Sequence, residues 1–305
     1  MAEPAIETRF VEANGLRFEV DCCGDGDRLA LALHGFPECA YSWRLQLPLL
    51  ARLGYRVWAP NQRGYGRSSR PSRIEDYAIE HLLDDVAGLI DAAGCRETVL
   101  LGHDWGAVVA WFFAMRKLRP IDRLVIMNVP HPATFLTNRS VRQMLRSWYA
   151  LFFQIPRLPE LLLRPRAIGR AFVGGAVNKE RFGPEVQRVY QENASHPGAV
   201  TAMINWYRAL VRGGGAKRQQ DLGFPRIEIP TLMIWGVRDV ALGIETTFGT
   251  ERHVDDLTLR YPPNASHWVQ QEDPETVNEM LEAWLTGKPV PLVDGGAFGA
   301  VGSSV

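Results

Sequence analysis

Three residues of this chain have the types and positions needed for covalent chemistry. Asp104 is the centre of Gly102-His103-Asp104-Trp105-Gly106, between an apolar run (Thr98–Leu101) and a helical pattern (Ala107–Met115). A strand-to-helix turn of that kind lifts its central side chain above the sheet edge, and the flanking glycines permit the turn. An aspartate alone there would read as a helix N-cap; with strand, glycines and helix around it, it reads as a nucleophile. A carboxylate attacking an ester would form an anhydride, which is uphill. Attack on a saturated carbon with a strained or good leaving group forms a stable ester, which water must then cleave with help from a base. The expected electrophile is therefore a saturated carbon of a small, mostly apolar molecule.

His267, in Ala265-Ser-His-Trp-Val269, is the candidate base, and Asp239, in Trp235-Gly-Val-Arg-Asp239, the acid that orients it. The order nucleophile, acid, histidine, each residue following a strand, matches a triad on an α/β sheet. Ester hydrolysis also needs donors for an oxyanion. The N–H groups of Trp105, next to the nucleophile, and of Phe36, in His34-Gly-Phe-Pro37, are the candidates. A cis Phe36–Pro37 bond is expected, and His34 is read as structural.

The elements that must hold these residues alternate. Apolar runs at Leu29–Leu33, Arg56–Ala59, Thr98–Leu101, Leu124–Met127, Thr231–Trp235 and Leu257–Tyr261 read as strands, and Leu16–Cys22 as a half-buried strand. Helical patterns lie at Trp43–Leu53, Ile79–Ala93, Ala107–Met115 and Pro274–Leu285. This predicts a parallel sheet with helices on both faces and ligands at the carboxyl ends of its strands. From about Thr134 to Leu222 only helical patterns appear. The expected organisation is a core over 1–132, a helical cap over 133–224, the rest of the core over 225–288, and a disordered tail over 289–305.

Composition removes several function classes. Lys+Arg and Asp+Glu number 34 each, which leaves no overall field for nucleic acid or an anionic membrane. The short clusters Arg116-Lys117-Leu118-Arg119 and Lys217-Arg218 read as solvated faces. No apolar run reaches the ~20 residues of a membrane span. Cys22, Cys23, Cys39 and Cys95 have no framework or metal spacing, and no apolar leader precedes Phe10, so a cytoplasmic protein is expected. The remaining histidines show no ligand spacing. No metal and no organic cofactor is expected, water being the co-substrate. Oligomeric state is not legible; a homodimer is compatible with the sequence.

Together, His34-Gly-Phe-Pro-Glu38, Gly102-His-Asp-Trp-Gly106, Asn205-Trp-Tyr-Arg208, Trp235-Gly-Val-Arg-Asp239 and Ser266-His-Trp-Val269 resemble the motifs of the α/β-hydrolase-fold epoxide hydrolases, over about Glu7 to Leu285. The resemblance implies a mostly parallel eight-stranded sheet, a helical cap after the sixth strand, and an epoxide as the electrophile. It also implies two cap tyrosines that donate to the epoxide oxygen, Tyr207 in Asn-Trp-Tyr-Arg and Tyr149 in Ser147-Trp-Tyr-Ala150. The expected pocket comprises Phe36, Pro37, Trp105, Trp148, Phe152, Phe153, Ile155, Trp206 and Trp268, an aromatic lining suited to lipophilic or aryl epoxides. Two positions depart from the family pattern: Asn61 where Asp is usual, and Ala107 where a second glycine is common. Both bear on support and not on chemistry. Alternatives are a haloalkane or haloacid dehalogenase, which shares the Asp nucleophile, and a ligand sensor that keeps the fold without turnover. The two tyrosines favour the epoxide; the retention of Asp104 and His267 argues against the sensor.

Overall fold

The computed structural model describes residues 4–293. Eight strands form one sheet: β1 (Glu7–Ala13), β2 (Leu16–Cys23), β3 (Arg28–Leu33), β4 (Tyr55–Pro60), β5 (Glu97–His103), β6 (Arg123–Met127), β7 (Thr231–Ile234) and β8 (Leu257–Arg260). Their order is β1-β2-β4-β3-β5-β6-β7-β8. β1 and β2 pair antiparallel, β2 joins β4 antiparallel, and all remaining pairs are parallel. Alternation divides each central strand between two cores. In β6, Leu124 and Ile126 face one helical layer and Val125 and Met127 the other.

Helices α1 (Leu47–Arg52) and α13 (Pro274–Leu285), with the short α12 (Val269–Glu272), cover one face. α2 (Ile79–Ala93) and α3 (Trp105–Arg116) cover the opposite one. α2 ends where Gly94 takes φ 61° and its N–H donates to the Ile90 carbonyl. Between β6 and β7 the chain is helical throughout: α4 (Pro132–Thr137), α5 (Val141–Arg146), α6 (Trp148–Phe152), α7 (Leu158–Leu162), α8 (Pro165–Gly175), α9 (Pro184–Ser195), α10 (Ala199–Arg212) and α11 (Gly215–Asp221). Prolines in the first turns of α4, α7, α8 and α9 set where these pieces begin.

Three expectations needed correction. β1 was not among the strands read from sequence. The helix read over Trp43–Leu53 is a 3₁₀ turn (Ala40–Trp43) followed by the shorter α1, which Pro48 starts. Residues 289–293, expected within a disordered tail, lie against the sheet: Val290 is buried in the core, and Arg260 donates to the Val290 and Pro291 carbonyls. The remainder of that tail lies outside the described residues. No helix among the described residues is long and apolar enough to cross a membrane.

Candidate active site

Asp104 stands between β5 and α3 with φ 48° and ψ −123°. That conformation costs an L-residue on the order of 1–3 kcal/mol, and the surroundings must hold it there. They do so by close approach of backbone. A Cβ at Gly106 would meet the Leu33 carbonyl oxygen at 2.2 Å, and one at Gly35 would lie 2.3 Å from the Asp104 Cβ. The loop after β3 is thereby pressed against the elbow. Its Phe36–Pro37 bond is cis, as expected, and the Phe36 N–H donates to Asp104 Oδ1 at 2.7 Å. The Trp105 N–H heads α3, where first-turn donors have no intrahelical acceptor and the helix dipole favours negative charge.

The other two residues of the sequence reading arrive from β7 and β8. His267 Nε2 lies 3.4 Å from Asp104 Oδ2 and its Nδ1 lies 2.8 Å from Asp239 Oδ2. A carboxylate can only accept, so Nδ1 carries a proton. Asp239 Oδ1 accepts from the Ala241 and Leu242 N–H groups at 2.7 and 2.8 Å. The side chain of Asp239 is 1% exposed, that of Asp104 16%. One carboxylate is sealed by its donors while the other keeps a partly exposed edge.

Electrostatics couple the three. Burial by itself would discharge His267, but the charge of Asp239 and the contacts with Asp104 and Asp239 hold its pKa well above the ordinary histidine value. Burial by itself would raise Asp104, but contact with His267 and its charge, with the Phe36 N–H, keep it below the usual carboxylate value. Both shifts favour charge separation, a carboxylate beside an imidazolium.

Opposite the elbow stand aromatic residues of the insertion. On α10, the Tyr207 ring packs edge-on against Trp105 (centroids 5.0 Å apart), Phe36 (5.2 Å), Phe153 (4.9 Å) and Tyr149 (5.9 Å). Burial raises both phenols far above the ordinary tyrosine value. The Asp104 charge adds to this at Tyr149; at Tyr207 the neighbouring Tyr149 comes second and Asp104 third. Both remain protonated donors at neutral pH. Pro37 is buried, and Phe36 and Phe152 are half-buried.

Of the pocket residues in the sequence reading, two face solvent and two pack against neighbours of the elbow. Trp148 is 61% exposed and Ile155 is also exposed. On the five-residue α6, Tyr149 turns inward and Trp148 and Leu151, three apart, turn outward; Ile155 follows the helix end. Trp206 packs behind Trp105 (5.6 Å) and donates from its indole N–H to the Arg63 carbonyl. Trp268 packs behind His267 (5.6 Å) and against Phe172 and Phe182.

The sequence reading missed three supports. Asn128, at φ 52° after β6, donates to Asp239 Oδ2 at 2.7 Å and accepts from the Gly236 N–H. An asparagine directly after a buried strand, a residue tolerant of positive φ, was the available signal. Arg208 donates to the Phe153 and Ile155 carbonyls and pairs with Glu160 at 2.6 Å, joining α10 to α6 and α7. Glu38, fully buried, accepts from Gln271 and sits 2.6 Å from His103 Nδ1, whose Nε2 is 2.8 Å from the His267 carbonyl. His103 thereby links the Glu38 carboxyl to the backbone of His267. The departure at Asn61 is matched by its neighbours: its amide N–H donates to Glu19 at 2.8 Å, a contact an aspartate could not make. His34 is structural, accepting from the Gln62 N–H. Among the described residues no group of three His, Cys, Asp or Glu is arranged to hold a metal ion.

A model of the alpha/beta hydrolase fold matches residues 31–274. The AB hydrolase superfamily protein YfhM of Bacillus subtilis is 38% identical, over 92% of this chain and 98% of its own. Epoxide hydrolase 3 of Xenopus tropicalis is 38% identical, over 89% of this chain and 75% of its own. The crystal structure of a mutant epoxide hydrolase from Bacillus megaterium superposes with a TM-score of 0.82 at 29% identity, covering 91% of this chain and all of that one; a mutant from that organism has also been crystallised with its naphthyloxy-propanediol product.

Proposed function

The chain belongs to the alpha/beta hydrolase fold family, and within it we propose that it adds water to an epoxide, giving a vicinal diol through an ester on Asp104. The observation that carries this reading is a carboxylate at the elbow, against His267 and facing two protonated phenols. The identity to an epoxide hydrolase along most of the chain supports it.

In the first step Asp104 Oδ2 bonds to a ring carbon while that carbon's bond to oxygen breaks. The electron pair goes to oxygen, which takes a proton from Tyr207 or Tyr149. A phenol is intrinsically more acidic than an alcohol, and both oxygens share one buried site, so the transfer to the alkoxide is favoured. The phenol regains its proton from solvent. Alkylation also removes the Asp104 charge, one of the influences keeping His267 protonated, so the imidazolium releases its proton to solvent and is neutral when a base is required. In the second step it takes a proton from water as the water oxygen bonds to the Asp104 carboxyl carbon. The oxyanion forms on Oδ1 under the Phe36 and Trp105 N–H groups. Its collapse expels the diol oxygen, which takes the proton from His267 while Asp239 holds the ring.

The aromatic wall suits aryl or lipophilic epoxides, and the product named for the Bacillus megaterium enzyme is an aryl ether of that kind. Incubation with excess styrene oxide over many turnovers in heavy-oxygen water tests the reading: phenyl diol that becomes labelled once Asp104 has exchanged its oxygen is expected, and halide release from haloalkanes without any diol would overturn it. Glycidol, which cannot fill the wall, should be turned over about tenfold or more less efficiently in kcat/KM; equal efficiency contradicts the lipophilic pocket.

A further inference from the structure

One face of the helical insertion differs from the rest of the surface. Arg139 to Arg170 holds seven arginines, no lysine and a single carboxylate, Glu160. Glu160 is taken by Arg208. All but one of the seven arginines are exposed, and among the described residues none of the seven forms an ion pair with a carboxylate. Among them stand Val141, Leu145, Trp148, Leu151, Leu161 and Leu162, each between 58% and 74% exposed. The three- and four-residue spacing from 141 to 151 keeps these side chains to one side of α5 and α6, while Gln143 and Tyr149 turn inward. Scattered exposed leucines need no explanation, but a run of this length with tryptophan and arginine does.

The charge pattern selects the occupant. Pairing this face with a second copy about a twofold axis would set arginines against arginines, with no acidic residue of the segment to meet them. A nucleic acid would leave the leucines uncovered. A surface that is anionic in its outer layer and apolar below it satisfies both sets of side chains. We infer that α5–α7 dock on an anionic lipid bilayer, with Trp148 and the leucines in the headgroup–acyl boundary and the arginines on headgroup phosphates. The equal totals of acidic and basic residues along the chain conceal this local field. α6 carries the docking face on one side and Tyr149 on the other. Trp148 contacts Phe152 (5.7 Å), Phe152 contacts Phe153 (6.0 Å), and Phe153 contacts Tyr207. An apolar molecule dissolved in the bilayer would then lie one helix away from the elbow.

Sedimentation of the full chain with vesicles tests this, independently of any activity. Binding is expected to vesicles of phosphatidylcholine with about one third phosphatidylglycerol, at least about tenfold weaker binding to phosphatidylcholine alone, and release by about 1 M salt, where screening falls to ~3 Å. The double variant L151E/L161E, at exposed positions outside the site, should keep the parent's melting midpoint and lose at least about tenfold in binding. Three results would overturn the inference: no sedimentation with anionic vesicles, undiminished binding by a folded double variant, or a dimer in light scattering that the double variant splits.

Discussion

The two phenols that face Asp104 come from unequal halves of the insertion. Tyr207 lies on α10, a helix of 14 residues whose inner face is buried from Ala202 to Ala209. The adjacent Trp206 is tied to the core through the Arg63 carbonyl. α9 beside it is fastened by Asn193, which accepts from the Gly66 N–H and donates to the Glu38 carbonyl. Tyr149 lies on α6, five residues long with none fully buried. Its neighbours α5 and α7 expose most of their apolar residues. Arg208 joins the halves through two carbonyls and Glu160. A short helix does not hold its own shape in water, so Tyr149 owes its position to packing and to Arg208, whereas Tyr207 owes its position to the core. The proposed chemistry draws on both, but only Tyr207 stands on a helix tied directly to the core.

Several changes would break or sharpen that contrast. Asp104→Asn removes what both phenols serve. Diol formation should fall at least about a thousandfold, measured by initial rates, with the melting midpoint nearly unchanged. The same variant should lower the pKa of His267, read from its ring-proton NMR titration, because one of the charges that raises it is gone. The sign matters at low pH. Asp104 must be ionised for attack, and its depressed pKa keeps it so well into acid. His267 must be neutral for ester hydrolysis, so that step should quicken as pH rises through the pKa of His267 in the ester, measurable by stopped-flow decay of the intermediate.

Next in size, Tyr207→Phe should lower kcat by about 100-fold and Tyr149→Phe by about tenfold, since general-acid groups contribute in proportion to how well they are oriented. Equal losses would show that anchoring does not set their contributions. Arg208→Met, which unpairs Glu160 and frees two carbonyls, should cost about 2–4 kcal/mol in chemical denaturation. Its kinetic loss should resemble that of Tyr149→Phe more than that of Tyr207→Phe. Smallest, Asn128→Ala takes one donor from Asp239, and kcat should fall by about tenfold or less because the Ala241 and Leu242 N–H groups remain.

The same contrast describes what the sequence allowed to be read. Parallel strands buried on both faces appear as continuous apolar runs, and their carboxyl ends are where Asp104, Asp239 and His267 lie, so core and elbow were legible. β1 was not. Its burial is slight from Glu7 to Phe10, and an exposed edge strand has no alternation to detect. Within the insertion, helical character was legible, but the direction of each side chain was not. Trp148 and Tyr149 are neighbours in an aromatic stretch, and only the packing of α10 decides which turns inward. Asn128 and Arg208 act across 111 and 48 residues of chain, distances at which local pattern carries no signal. Val290 was hidden for the same reason, its partners being in the sheet and not in its own segment.

The covalent ester on Asp104 is the central claim, and a single turnover in heavy-oxygen water tests it most directly. With enzyme in excess over styrene oxide, the first-formed diol should be unlabelled, since its new oxygen comes from Asp104, and the label should appear in the peptide containing Asp104. A labelled diol with unlabelled Asp104 would mean that water attacks the epoxide directly, and would contradict the account.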